Sequence, residues 1–131
     1  MRVGVPREIK PNEHRVGLPP TAVREYVAHG HEVIVETAAG EGAGYADQDY
    51  ERAGATIAPD AATVFSQARL IVKVKEPQAV EWVRLTPDHI LFTYLHLAPD
   101  PAQTEGLLAS GCAAIAYETV TDRAGGLPLL A

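Results

Sequence analysis

Several side chains able to hold or protonate a small acid stand where apolar runs give out. Arg7 and Arg15 follow RVGV, Lys75 follows RLIVKV, His96 ends the run ILFTYL, and Glu118 follows CAAIAY. A planar guanidinium such as Arg15 suits a bidentate grip on a carboxylate. Lys75 adds a point charge for the same carboxylate or for a neighbouring carbonyl oxygen. With a reference pKa of about 6.5, the His96 imidazole can exchange a proton with a carbonyl or hydroxyl oxygen near neutral pH. Together they describe a site for a small oxo acid. Singly, each has an ordinary explanation: a structural histidine, a surface arginine, and a lysine in solvent or paired with the adjacent Glu76. The argument rests on their common placement.

Placing them together requires strands that end at one edge. Short β-rich runs alternate with helical patterns along the chain. Strands are expected at Arg2–Val5, His31–Thr37, Arg69–Val74, His89–Leu95 and Cys112–Tyr117. Between them the pattern predicts helices over Pro20–His29, Asp47–Ala53, Ala61–Gln67 with Asp60 as N-cap, Gln78–Leu85 and Pro101–Ser110. Strands alternating with helices argue for parallel βαβ units, and near-continuous apolar strands for a sheet covered on both faces. The expected fold is therefore α/β: an open, doubly wound, mainly parallel sheet with helices on both faces, Rossmann-like or flavodoxin-like. In such sheets ligands bind outside the carboxyl ends of the strands, where the charged groups above fall.

Composition narrows the function. The chain has 131 residues, 47% of them hydrophobic and 21% charged, with a formal net charge of −6. That size suits a single domain, and the acidic balance disfavours nucleic acid and anionic membrane as partners. Arg2, Arg7, Glu8 and Lys10 break any N-terminal apolar run, and nothing approaches the ~20 apolar residues of a membrane span. With Cys112 as the single cysteine no internal disulfide is possible, so a reducing cytoplasm is expected. Cys112 itself reads as a small core residue. His14, His29, His31 and His89 lack metal-ligand spacing, so no metal site is expected. Glycines 40, 42 and 44 follow a strand and invite a dinucleotide reading, but Tyr45 stands where a third G-x-G-x-x-G glycine belongs and Asp47 and Asp49 would repel a pyrophosphate. That segment reads as a flexible connection. The apolar ending AGGLPLLA points to a chain that continues.

GVPREIKPNEHRVGLPP, KVKEP, YLHLA and AYETV, in this order, resemble the N-terminal part of alanine dehydrogenase, whose fold is shared with the nicotinamide nucleotide transhydrogenase α subunit. The resemblance covers the whole chain. It implies reversible oxidation of L-alanine to pyruvate and ammonium with NAD. It also implies that Arg15 and Lys75 bind substrate, that His96 is the proton donor and acceptor, and that Tyr94 and Glu118 line or brace the cleft. It further implies that residues 1–131 are a substrate-domain segment, with NAD held mainly by a domain beyond it, and that the enzyme is a homo-oligomer, commonly a hexamer. The isolated chain is then expected not to turn over. The chain departs from the family pattern at Gly17, where alanine is usual, and at Pro19, where a serine or threonine would cap the next helix at a gain of about 1 kcal/mol. A transhydrogenase-type subunit and a non-catalytic oxo-acid-binding module are the competing readings. The histidine in LHLA favours the dehydrogenase over the first, and full gene length separates both enzymes from the second.

Overall fold

The computed structural model describes residues 1–95 and 101–116. It contains six parallel strands in one sheet: β1 (Arg2–Val5), β2 (Glu32–Glu36), β3 (Thr56–Ala58), β4 (Leu70–Val72), β5 (Ile90–Thr93) and β6 (Ala113–Ala116), in the order β3-β2-β1-β4-β5-β6. This is the Rossmann order rather than the flavodoxin-like one, and the direction of winding reverses between β1 and β4. The helices are α1 (Pro20–Ala28), α2 (Asp47–Arg52), α3 (Ala61–Gln67), α4 (Ala79–Trp82) and α5 (Pro101–Ser110).

Alternation along the strands builds two cores. Val3, Val5, Val33, Val35 and Val72 pack with Val23 of α1 and Tyr50 of α2 on one face. On the other, Ile34, Ile71 and Leu91 meet Val64 and Phe65 of α3 and Leu107 of α5, as the two-residue repeat of a strand requires. Among the described residues, no helix is long and apolar enough to cross a membrane.

The local signals explain most boundaries. Asp60 accepts a hydrogen bond from the Thr63 backbone N–H at 2.8 Å and so caps α3. Gly30 and Gly111, both at positive φ, stop α1 and α5. Pro19 precedes α1 without any side-chain cap, as its lost hydroxyl implies. The glycine run is not the expected flexible connection. A 3₁₀ turn spans Glu41–Ala43, and a Cβ on Gly42 would lie 2.6 Å from the His14 carbonyl oxygen, so this backbone lies directly against the loop after β1. Strand β3 was not anticipated: three residues between Gly54 and Pro59 are too short to show a period. His89 is a structural histidine, taking the Thr86 N–H on Nδ1 at 2.9 Å and meeting the Phe65 carbonyl through Nε2 at 2.5 Å.

Two glycines set close approaches. The departure at Gly17 coincides with one: a Cβ there would stand 2.4 Å from the Val72 carbonyl oxygen, so the loop lies against the end of β4. On β1, a Cβ at Gly4 would stand 2.6 Å from Ala68 Cβ and 2.8 Å from Val64 Cγ1, which seats α3 on the sheet. Gly4→Ala is expected to destabilise the chain by about 1–3 kcal/mol through overpacking. Urea denaturation checks this, and an unchanged midpoint would refute the tight seating of α3.

Candidate functional site

The loop of residues 6–19, between β1 and α1, crosses the carboxyl ends of the central strands and is stapled to the segment after β4. Glu8 does most of the stapling. One of its carboxylate oxygens accepts the Lys75 N–H at 3.1 Å and meets Lys73 Nζ at 3.2 Å, while the other accepts the Val74 N–H at 3.1 Å. Lys73 Nζ also lies 3.2 Å from Glu81 of α4. The Glu8, Lys73 and Glu81 side chains are only 2%, 1% and 3% exposed, so this ion triad is fully desolvated. Burial pushes the Glu8 carboxyl above its ordinary value, against the opposing pull of Lys73 and of the Lys75 and Val74 N–H groups. A second link joins Lys10 to Glu76.

These links fix Lys75. Its N–H is held by Glu8, its carbonyl accepts Thr93 Oγ1 at 2.8 Å, and its ammonium lies 5.3 Å from the centroid of the Tyr94 ring, within cation–π range. Glu76, adjacent in sequence, pairs with Lys10, which speaks against the ordinary explanation of Lys75 as the partner of Glu76.

Arg15 lies further along the same loop. Glu13 accepts its backbone N–H at 2.9 Å, its Nε at 3.0 Å and its Nη2 at 2.8 Å. Arg7, Glu8, Glu13, His14 and Arg15 line an open cleft of about 260 Å³, closed on its far side by Ala38–Ala39 and the Glu41–Gly42 turn. The bonds from the Arg15 side chain are the largest cause that holds the Glu13 carboxyl down, from an ordinary 4.5 to about 2. Arg15's backbone N–H and charge and the Lys75 ammonium lower it further, against partial burial. Glu13 thus feels both proposed substrate-binding cations.

The sign of this shift sets a pH dependence. A depressed carboxyl stabilises the fold fully above its ordinary value, and that stabilisation disappears as pH falls toward about 2. Glu13→Gln should therefore melt lower than the parent at neutral pH, with the gap closing between about pH 4.5 and pH 2. Thermal melts across that range check it; a gap independent of pH would refute the Glu13–Arg15 linkage.

Of the expected site residues, Arg15, Lys75 and Tyr94 follow β1, β4 and β5, three adjacent strands, at one sheet edge. The Lys75–Tyr94 contact is direct, and Arg15 and Lys75 meet electrostatically at Glu13. His96 and Glu118 lie outside the described residues. Residue-by-residue reading overlooked Glu8, Glu13, Lys73 and Glu81. A signal was present in two motifs, since Glu8 closes G-x-P-x-E and Glu13 opens E-x-R.

The described residues do not fit a dinucleotide. The Rossmann order would call for a tight glycine turn after β1 opening directly into a helix, but the chain continues there as Pro6-Arg7-Glu8 and starts α1 only at Pro20. The glycine turn after β2 is backed by His14 and Tyr50, and Glu41 and Asp47 add negative charge.

Comparison with known proteins gives consistent relatives. The family described as alanine dehydrogenase/PNT, N-terminal domain, matches residues 4–131. The alanine dehydrogenase of Halomonas elongata is 56% identical over 131 residues, which is all of this chain and 35% of that protein. That of Mycobacterium tuberculosis is 50% identical with the same coverage. Among solved structures, an L-alanine dehydrogenase superposes with a TM-score of 0.96 at 52% identity, covering 99% of this chain and 36% of that one. A transhydrogenase from Sinorhizobium meliloti superposes at 0.86 with 28% identity, covering 94% and 36%. The chain spans about 35% of the length of the curated relatives it matches.

Proposed function

Since the chain belongs to the alanine dehydrogenase/PNT family and matches its N-terminal domain, we propose that it forms the substrate-holding segment of an NAD-dependent L-alanine dehydrogenase. The observation that carries this reading is the convergence of Arg15 and Lys75 on one sheet edge, both acting on Glu13. Arg15 holds the carboxylate of alanine or pyruvate. Lys75, steadied by Glu8 and Tyr94, binds the same carboxylate or the neighbouring carbonyl oxygen. His96 exchanges the proton at that oxygen as the carbonyl forms or is consumed. Holding the substrate in one orientation supplies the proximity part of the rate. Glu118 braces the same cleft. NAD is assigned to a domain outside residues 1–131, in keeping with the poor fit described above, and ammonium is the second product. The assembled enzyme is a cytoplasmic homo-oligomer, a hexamer by resemblance.

The greater identity to alanine dehydrogenases, 50–56% against 28% for the transhydrogenase, supports this reading over a transhydrogenase-type subunit, as does the histidine in LHLA. The test is a spectrophotometric NADH assay with L-alanine and NAD on the full-length product of the gene encoding this chain. Alanine-dependent NADH formation is expected, with none from residues 1–131 alone. No activity in the full-length product would reject the dehydrogenase.

A further inference from the structure

We propose that Thr93 is a positioning residue for substrate capture: its hydroxyl fixes the main chain of Lys75, and so the place from which the Lys75 ammonium addresses the substrate. This rests on the reading of Lys75 as a substrate-binding group. Along β5 and just past it, Leu91, Thr93 and Leu95 share one face and are 0%, 0% and 3% exposed. Leu91 and Leu95 belong to the core that includes α3 and Leu107 of α5. In such a row a valine would serve packing and strand propensity as well as a threonine does. What threonine adds is a hydroxyl, and a buried hydroxyl is costly unless it is bonded. Here it donates to the Lys75 carbonyl at 2.8 Å.

This bond falls where the ladder between β4 and β5 gives out. The Lys73 N–H still reaches the Phe92 carbonyl at 3.0 Å, and the Tyr94 N–H reaches the Val74 carbonyl at a long 3.4 Å. At the next step the Lys75 N–H turns away to Glu8 at 3.1 Å, and a side chain of β5 takes over the pairing. Lys75 is thereby held at both ends of its main chain, the N–H by the loop after β1 and the carbonyl by β5. Two anchors set the direction of its Cα–Cβ bond, and with it the ammonium, which lies 5.3 Å from the centroid of the Tyr94 ring. A cation placed in advance loses less binding free energy to ordering when substrate arrives. Removing the Thr93 donor releases the carbonyl end alone. Glu8 keeps its bonds to Lys73 and to the Val74 and Lys75 N–H groups, so the fold persists while the ammonium loses its fixed origin.

The experiment compares parent, Thr93→Val and Thr93→Ser in the full-length product of the gene. Pyruvate affinity is read by calorimetry with NAD present, so that no hydride is available, and KM and kcat by pyruvate-dependent NADH consumption with ammonium. Valine keeps the shape and loses the hydroxyl, whereas serine keeps the hydroxyl and loses a methyl group. Thr93→Val should weaken pyruvate binding and raise its KM by about three- to tenfold, the range of one net hydrogen bond, with kcat within about twofold. Thr93→Ser should keep the parent affinity even where it melts earlier. A packing role predicts the reverse order, with Thr93→Val parent-like and Thr93→Ser impaired. That order, equal losses in both variants, or a fall in kcat alone would each overturn the proposal. Should Thr93→Val fail to fold, Thr93→Ala against Thr93→Ser carries the same comparison, since both lose the methyl group and they differ in the hydroxyl. Lys75→Met separates this inference from the reading beneath it. Pyruvate binding that is indifferent to Lys75→Met, or absent from the parent, would reject both. Binding weakened by Lys75→Met but not by Thr93→Val would reject this inference alone. An inactive parent that binds pyruvate through Lys75 and loses affinity in Thr93→Val would reject the dehydrogenase and keep the inference.

Discussion

Lys73→Met is expected to destabilise the chain by about 3–5 kcal/mol, because it strips the cation from a buried pair of carboxylates. Lys73 Nζ is 3.2 Å from both Glu8 and Glu81, with all three side chains at most 3% exposed. Methionine fills the volume and removes the charge, so the loss is electrostatic rather than a cavity effect. Against a typical domain stability of ~5–15 kcal/mol, this is a large fraction. Trp82, adjacent to Glu81 and bonded through its indole N–H to the Pro77 carbonyl at 2.9 Å, is the chain's single tryptophan and reports on the region. Urea denaturation followed by its fluorescence measures the shift. The deficit should shrink in acid. Burial already pushes the Glu8 carboxyl up while Lys73 pulls it down, so without Lys73 its folded value rises further above the unfolded one. The folded state then binds the extra proton, and the penalty is relieved as pH falls through that raised value. Glu8→Gln/Lys73→Met/Glu81→Gln together should recover part of the loss, since removing a whole buried ion network is milder than orphaning its members. A midpoint unchanged in Lys73→Met would refute the triad.

That network marks the boundary of what the sequence discloses. Local signals were strong where one stretch decides its own conformation: Asp60 three residues before Thr63, Pro20 opening α1, Gly111 closing α5, and the apolar repeats of β1 and β2. Strand ends were harder to read because distant partners set them. The run RLIVKV reads as a strand through Val74, yet β4 ends at Val72: Lys73 N–H still reaches the Phe92 carbonyl at 3.0 Å, but the N–H groups of Val74 and Lys75 turn to Glu8. Glu8 lies 65 residues from Lys73 in sequence, and no local pattern signals that pairing. The same holds for the glycine turn. Its order comes from His14 and Tyr50 packed against it, and neither belongs to the run that was read. The site was legible as residue types at strand ends, whereas the carboxylates that hold those residues were legible only as unexplained letters within motifs.

His96→Ala, in the full-length product, is expected to lower kcat for alanine oxidation by about 10²–10⁴, the usual contribution of a positioned acid–base group, with melting unchanged. Arg15→Ala is the contrasting variant and should chiefly raise the KM for pyruvate. The physical basis lies in the residues leading to His96. Thr93 of β5 is fully buried and tied to the Lys75 carbonyl at 2.8 Å, Tyr94 lies under the Lys75 ammonium, and Leu95 is buried in the α3 core. This strand end is thereby locked to the segment that carries Lys75. It follows β4 in the sheet, as β4 follows β1, so the chain leaves β5 at the edge where Arg15 and Lys75 stand. If His96 carries the proton and Arg15 and Lys75 hold the carboxylate, as proposed, removing the imidazole takes away proton transfer alone, so kcat and KM should separate between the two variants. Steady-state kinetics over pH distinguish the outcomes. A neutral-range ionisation is expected in the parent's kcat/KM if His96 carries the proton; His96→Ala should lack it and Arg15→Ala should keep it. Parent-like rates in His96→Ala, or a retained ionisation, would reject His96 as the proton carrier and move that role to another group.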